Sequence, residues 1–153
     1  MSKKMLNLLL GCMLVAAATS AQEQSIGKKN VPKAVVETFR KSYPNATIKG
    51  YAKEVDEGKT VYEIESTEGN VHRDVTYAAD GILQTIEESL PFSDLPEPVR
   101  NTITKEYPKG KISISEKVIK GSTTQFEVLV KSTGRKYELV LNGDGTLVKK
   151  ETK

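Results

Sequence analysis

His72 and Asp74 stand two residues apart, and Glu63 and Glu65 repeat that spacing a little earlier in the chain. A period of two puts each pair on one face of an extended strand. One imidazole beside three carboxylates is a set that could move protons or attract a divalent cation. Two carboxylates about 7 Å apart along a strand also fall in the range used for glycoside hydrolysis. The rest of the chain offers this set little support. A single His and a single Cys in 153 residues exclude a closed His/Cys zinc site, a Cys-His catalytic pair and a disulfide framework. There is no G-x-S-x-G elbow, no GxGxxG and no phosphate-binding loop. The four side chains therefore read as a solvated strand face, and no catalytic residue and no cofactor are expected.

Asp80-Gly81 and Asn142-Gly143-Asp144-Gly145 carry a weaker signal, for calcium. The twelve-residue calcium loop with its distal bidentate Glu is absent, and Asp-Gly is what a tight hairpin asks for on conformational grounds alone. Calcium stays as a minor alternative.

These residues are positioned by a repeat. Shifting the chain by 64 residues superposes Val31–Glu87 on Leu95–Glu151 without a gap. Pro32 meets Pro96, Val35 meets Val99, Thr38 meets Thr102, Tyr43-Pro44 meets Tyr107-Pro108, Glu63 meets Glu127, and Asp80-Gly81 meets Asp144-Gly145. Each copy opens with Pro where a helix tolerates it. Each then carries apolar residues one turn apart, Val35, Phe39 and Tyr43 or Val99, Ile103 and Tyr107, and stops at Tyr-Pro. The period then changes to two, and Gly-containing turns divide the remainder into short runs. Strands are expected near 47–56, 60–67, 70–78 and 82–88, and near 111–119, 123–132, 135–142 and 146–151. Short connections require antiparallel neighbours.

The fold class expected is α+β: two tandem units, 31–90 and 91–153, each one helix plus a four-stranded antiparallel meander. Together they would form one continuous sheet with both helices on one face. Leu90 and Phe92 make the segment between the units a packed connector. The helix-free face is expected to be wet, with Tyr51, Lys53, Glu63, Glu65, His72 and Asp74 on it in the first unit. Lys117, Glu127, Leu129, Lys136, Glu138 and Val140 are expected there in the second, Leu129 and Val140 as exposed apolar contacts. These twelve are the candidate partner-binding residues.

Lys3 and Lys4, the 14 largely apolar residues Met5–Ala18 and the small residues up to Ala21 lay out an export signal, residues 1–21. The apolar run falls short of the roughly 20 residues a transmembrane helix needs. Leu9-Leu10-Gly11-Cys12 offers an alternative, a lipid anchor on Cys12. The formal charge of +3 owes two of its lysines to the signal. Acids outnumber bases in 31–88 and bases outnumber acids in 95–153. An exported chain whose basic residues are spread along strands is a poor nucleic-acid binder.

The helix entry after Pro, the Tyr-Pro stop and the Asp-Gly turn before the last strand resemble the PepSY-like periplasmic family. That family is similar in fold to the β-lactamase inhibitor protein. The resemblance covers Val31–Glu151. It implies an exported, non-enzymatic module that binds or inhibits a protein or peptide, and it carries over no site residue, because the shared positions are helix stops, turns and core.

Overall fold

The computed structural model describes residues 23–153. The export signal, cleavage after Ala21 and the alternative anchor at Cys12 lie outside the described residues. Helix α1 spans Lys33–Ser42 and helix α2 Glu97–Glu106. Pro32 and Pro96 stand at their N-caps, and at each C-terminus a Tyr amide closes the last turn, Tyr43 N–H onto Phe39 O and Tyr107 N–H onto Ile103 O, both 2.8 Å. The next residue, Pro44 or Pro108, cannot continue the helix.

Among the described residues, nine strands pair in chain order into one antiparallel sheet: β1 (Gln24–Ser25), β2 (Thr47–Asp56), β3 (Lys59–Glu68), β4 (Val71–Ala78), β5 (Leu83–Ser89), β6 (Lys111–Lys120), β7 (Thr123–Ser132), β8 (Arg135–Asn142) and β9 (Leu147–Thr152). The short β1, paired through Gln24–Lys53 and Ser25–Ala52, has no counterpart among the expected strands. Residues directly opposite in an antiparallel pair share a face. The register therefore follows one face across the sheet: Ile64, Val75, Ile86 and Ile119 on β3 to β6, then Phe126, Val128, Leu139 and Leu141 on β7 and β8. Both helices dock here. Val35 and Phe39 of α1 are buried with Ile64, Val75 and Tyr77, and Val99 and Ile103 of α2 with Phe126, Val128, Val130, Leu139 and Leu141. Leu90 and Phe92 pack against the second cluster, and the connector is tied to β6 by Ser115 Oγ–H donating to Leu90 O at 2.6 Å.

The Asp-Gly turns fit under the helices. Gly81 and Gly145 have φ of 86° and 84°, and a Cβ there would come within 2.9 Å of Ala34 O and 2.6 Å of Pro98 O. Glycine is needed for both the left-handed backbone and the close approach. The preceding Asp side chains serve the turn: Asp80 Oδ1 accepts from Ile82 N–H at 3.0 Å, and Asp144 Oδ1 from Thr146 N–H at 2.9 Å.

Two equivalent bulges reset the faces. The register shifts between Ile48 and Gly50 on β2 and between Ile112 and Ile114 on β6. One extra residue turns everything after it over. Tyr51 then faces the helices opposite Ile64, Lys53 opposite Tyr62, and Lys117 opposite Phe126. These three were expected on the open face from unbroken alternation, and the bulges place them on the other side.

Candidate partner-binding face

The helix-free face is assembled row by row from the same register. Gly50, Glu65, Asp74, Glu87 and Val118 lie side by side on β2 to β6, and Ala52, Glu63, Thr76, Thr85 and Lys120 form the next row. A third row carries Ser89, Glu116, Glu127, Val140 and Lys149 on β5 to β9, and a fourth Ile114, Leu129, Glu138 and Glu151 on β6 to β9. Of the twelve expected residues, Glu63, Glu65, His72, Asp74, Glu127, Leu129, Lys136, Glu138 and Val140 do share this face. They are not equally accessible. His72 and Lys136 are exposed, and Glu63, Glu65 and Asp74 are half-buried. Glu127, Glu138, Leu129 and Val140 are only 0%, 2%, 1% and 6% exposed. Leu129 and Val140 are thus not exposed apolar contacts. On the interior strands β7 and β8 these side chains have registered neighbours on both flanks, Ile114 and Glu138 beside Leu129 and Glu127 and Lys149 beside Val140, and the wetness expected of this face does not hold there.

A cross-face ion pair shows the curl directly. Lys120 on β6 and Asp56 on β2 are four strand spacings apart, about 19 Å on a flat sheet. Yet Lys120 Nζ lies 3.0 Å from Asp56 Oδ2 and 3.4 Å from Glu57 Oε1. The β2–β3 turn therefore arches toward the end of β6, and the open face is concave at that end.

Carboxylates crowd the first half of the concavity. Glu65, Asp74 and Glu87 occupy directly opposite positions on three adjacent strands, where Cβ atoms are about 5 Å apart and like charges repel. Burial lifts the Glu63 carboxyl to about 8, with Asp74, Glu23, Glu54 and Glu65 adding to it. Burial and Glu65 raise Asp74 to about 6 while His72 pulls it back. Burial raises Glu116 to about 7, helped by Asp74 and Glu138. Glu23 on the β1 side and Glu54 are raised too, chiefly by burial. A shallow recess of about 60 Å³ lies among them, lined by Glu23, Ser25, Gly50, Tyr51, Ala52, Glu63 and Glu65. Gly50 leaves the space that the Glu65 carboxylate fills, since a Cβ there would meet its Oε2 at 2.8 Å. Among the described residues, no group of three or more His, Cys, Asp or Glu side chains is arranged to hold a metal ion.

Several of the sheet's cations are paired with acids. Lys153 Nζ lies 2.7 Å from the buried Glu138 Oε2, and Lys149 pairs with Glu151 at 2.8 Å. On the helix side, Arg73 bonds Glu88 at 2.7 Å and Glu68 at 3.2 Å and lies 4.2 Å over the Tyr43 ring, with Lys117 adding a pair to Glu88 at 3.3 Å. Burial works to raise Glu88, but its bonds to Arg73 and Lys117 outweigh it and hold that carboxyl below the usual range. The sequence reading missed Arg73, Glu87 and Glu116. Alternation around Val75 and Ile86 carries the signal for Arg73 and Glu87, whereas Glu116 depends on the bulge.

The family described as "Putative beta-lactamase-inhibitor-like, PepSY-like" matches residues 17–85 and 62–149. The chain belongs to this PepSY-like family, in tandem copies. Among solved structures, a putative periplasmic protein from Bacteroides eggerthii superposes with a TM-score of 0.69 at 17% identity, covering 80% of this chain and 88% of that one. A BLIP-like protein from Bacteroides fragilis gives 0.64 at 23% identity over 80% and 86%. They share the fold with the PepSY-like chain, and their descriptions name no reaction. No curated protein matches the sequence. Among the described residues no helix is long and apolar enough to cross a membrane.

Proposed function

We propose that this PepSY-like protein is an exported, non-enzymatic module that holds a protein or peptide partner against the concave sheet face. In this reading 31–90 and 91–153 are two repeats, each of one helix and a four-stranded meander, fused edge to edge between β5 and β6. The observation that supports it best is the carboxylate field of the first half. Glu63, Glu65, Asp74 and Glu87 lie in a concavity, while Lys120, Lys149 and Lys153 are each already paired with an acid. A basic group entering the concavity would favour the charged form of these carboxyls and pair with them, whereas an acidic group would meet only acids. The partner's contact segment is accordingly Lys- or Arg-bearing, and it meets Glu63, Glu65, Asp74 and His72 rather than the buried Leu129 and Val140. The family's inhibitor-like description agrees with a binding role, and the fold alone assigns no target.

The test is affinity capture from an envelope extract with three baits: wild type, Glu63→Lys/Glu65→Lys, and a helix-side control, Lys41→Glu/Lys105→Glu. A partner held by the wild type and the control but lost by the sheet-face variant is expected. An identical partner set from all three would overturn the assignment to this face.

A further inference from the structure

Among the described residues, the strands of the two halves pair along β5–β6, through five registered pairs from Thr85–Lys120 to Ser89–Glu116. On the helix side this seam is stitched by charge, since Glu88 on β5 pairs with Lys117 on β6 and with Arg73 on β4. On the open side it carries Glu87, directly opposite Asp74 on one flank and Val118 on the other. The titratable groups around Glu87 on that face are His72 and Asp74 of β4, Glu63 and Glu65 of β3, Glu116 and Lys120 of β6, and Glu127 of β7. Lys120 is engaged by Asp56 and Glu57, and His72 stands exposed at the outer end opposite Thr67. The apolar Val118 opposite Glu87 supplies no counter-charge.

We propose that the open side of this seam is held by a proton on Glu87, so that the union of the two halves tightens as pH falls and loosens as pH rises. A neutral carboxyl at Glu87 relieves repulsion from Asp74, Glu116 and Glu127 together, and its O–H can be donated to a neighbouring carboxylate. An ionised Glu87 would set like charges against one another on both sides of the joint.

The electrostatics agree. Burial lifts Glu87 to about 9, and every neighbouring charge bearing on it, Glu127, Glu116, Glu63 and Asp74, pushes the same way. The sign follows from linkage. The folded chain keeps a proton that the unfolded chain has released, so stability contributed by this group is complete below its ordinary value of 4.5 and is lost as pH rises toward about 9. Each proton held in this way changes the unfolding constant by up to about tenfold per pH unit.

Two measurements on the full chain decide the matter. The carboxyl carbon of Glu87, followed by NMR in ¹³C-Glu-labelled wild type from pH 5 to 10, is expected to titrate at least two pH units above an ordinary glutamate. Urea unfolding of wild type and Glu87→Gln at pH 6 and pH 9 is expected to show the wild type weakening markedly with rising pH. The variant should weaken less and be several-fold harder to unfold than wild type at pH 9. Amide exchange corrected for intrinsic rate should place the difference at β5 and β6 rather than β2 and β3. Glu87 ionised by pH 6, or the same pH slope in both proteins, would overturn the proposal. If Glu87→Gln does not fold, the wild-type titration decides alone.

Discussion

Positions 64 apart occupy matching places in the two halves, and the halves differ most on the open face. Glu65 opposite Asp74 in the first half becomes Leu129 opposite Glu138 in the second, and Thr76 opposite Glu63 becomes Val140 opposite Glu127. In the core under the helices the same shift changes little: Val75 and Leu139, Tyr43 and Tyr107, and Gly81 and Gly145 do the same work in both. One scaffold has been finished in two ways. The second half places Leu129 and Val140 on its open face and pairs Glu138 with Lys153, though Glu116 and Glu127 stay opposite each other there. The first half leaves carboxylates crowded in a concavity, an arrangement that packing alone does not call for. Even the charge split has a structural use, because Asp56 and Lys120 occupy equivalent places and bond to each other across the face.

Exchanging the halves' open-face residues tests this contrast. Leu129→Glu copies the first half into the second, placing a carboxylate at a buried position opposite Glu138. It should destabilise by about 3 kcal/mol or more, read as a fall in urea midpoint. A loss below about 1 kcal/mol would show that the second half tolerates the first half's chemistry.

Gly145→Ala meets both a left-handed backbone and the Pro98 carbonyl, and should cost about 2 kcal/mol. Gly81→Ala, with more room, should cost less, so a reversed order in thermal unfolding would contradict the turn geometry. Glu65→Leu makes the opposite exchange. It removes a like-charge pair and should stabilise by about 0.5 to 1 kcal/mol at pH 8, with the gain shrinking at pH 5, where protonation has already relieved part of the repulsion. Lys120→Ala should cost about 1 kcal/mol or less, since Asp56 and Glu57 keep part of their hydration and water can replace the ammonium. Its larger effect should be on dimensions, with scattering showing a wider concave end.

Much of this architecture is legible in the sequence because it rests on local chemistry. Pro32, Tyr43-Pro44 and the Asp-Gly pairs bound their elements by backbone restriction, and the apolar runs around Val75 and Val128 show the inward face by alternation. What escaped was set by interactions between strands. A bulge after Ile48 or Ile112 is a property of pairing, so Tyr51, Lys53 and Lys117 were assigned to the wrong face. Gly50 hinted at irregularity in one strand, but Ile114 occupies the same place in the other without a glycine. The burial of Leu129 and Val140 escaped because alternation assigns a side chain to a face and says nothing of how exposed that face is. Gln24–Ser25 forms a strand only because β2 offers it an edge. The carboxylate row became a feature only when the register set Glu65, Asp74 and Glu87 side by side.

The central claim, that the partner lies on the concave face of the first half, is tested most directly by photo-crosslinking. A benzophenone side chain placed at His72 on the open face, or at Lys105 on the exposed side of α2, would be irradiated with the captured partner present. The account predicts adducts from position 72 and none from position 105. Adducts from position 105 alone, or equally from both, would contradict it.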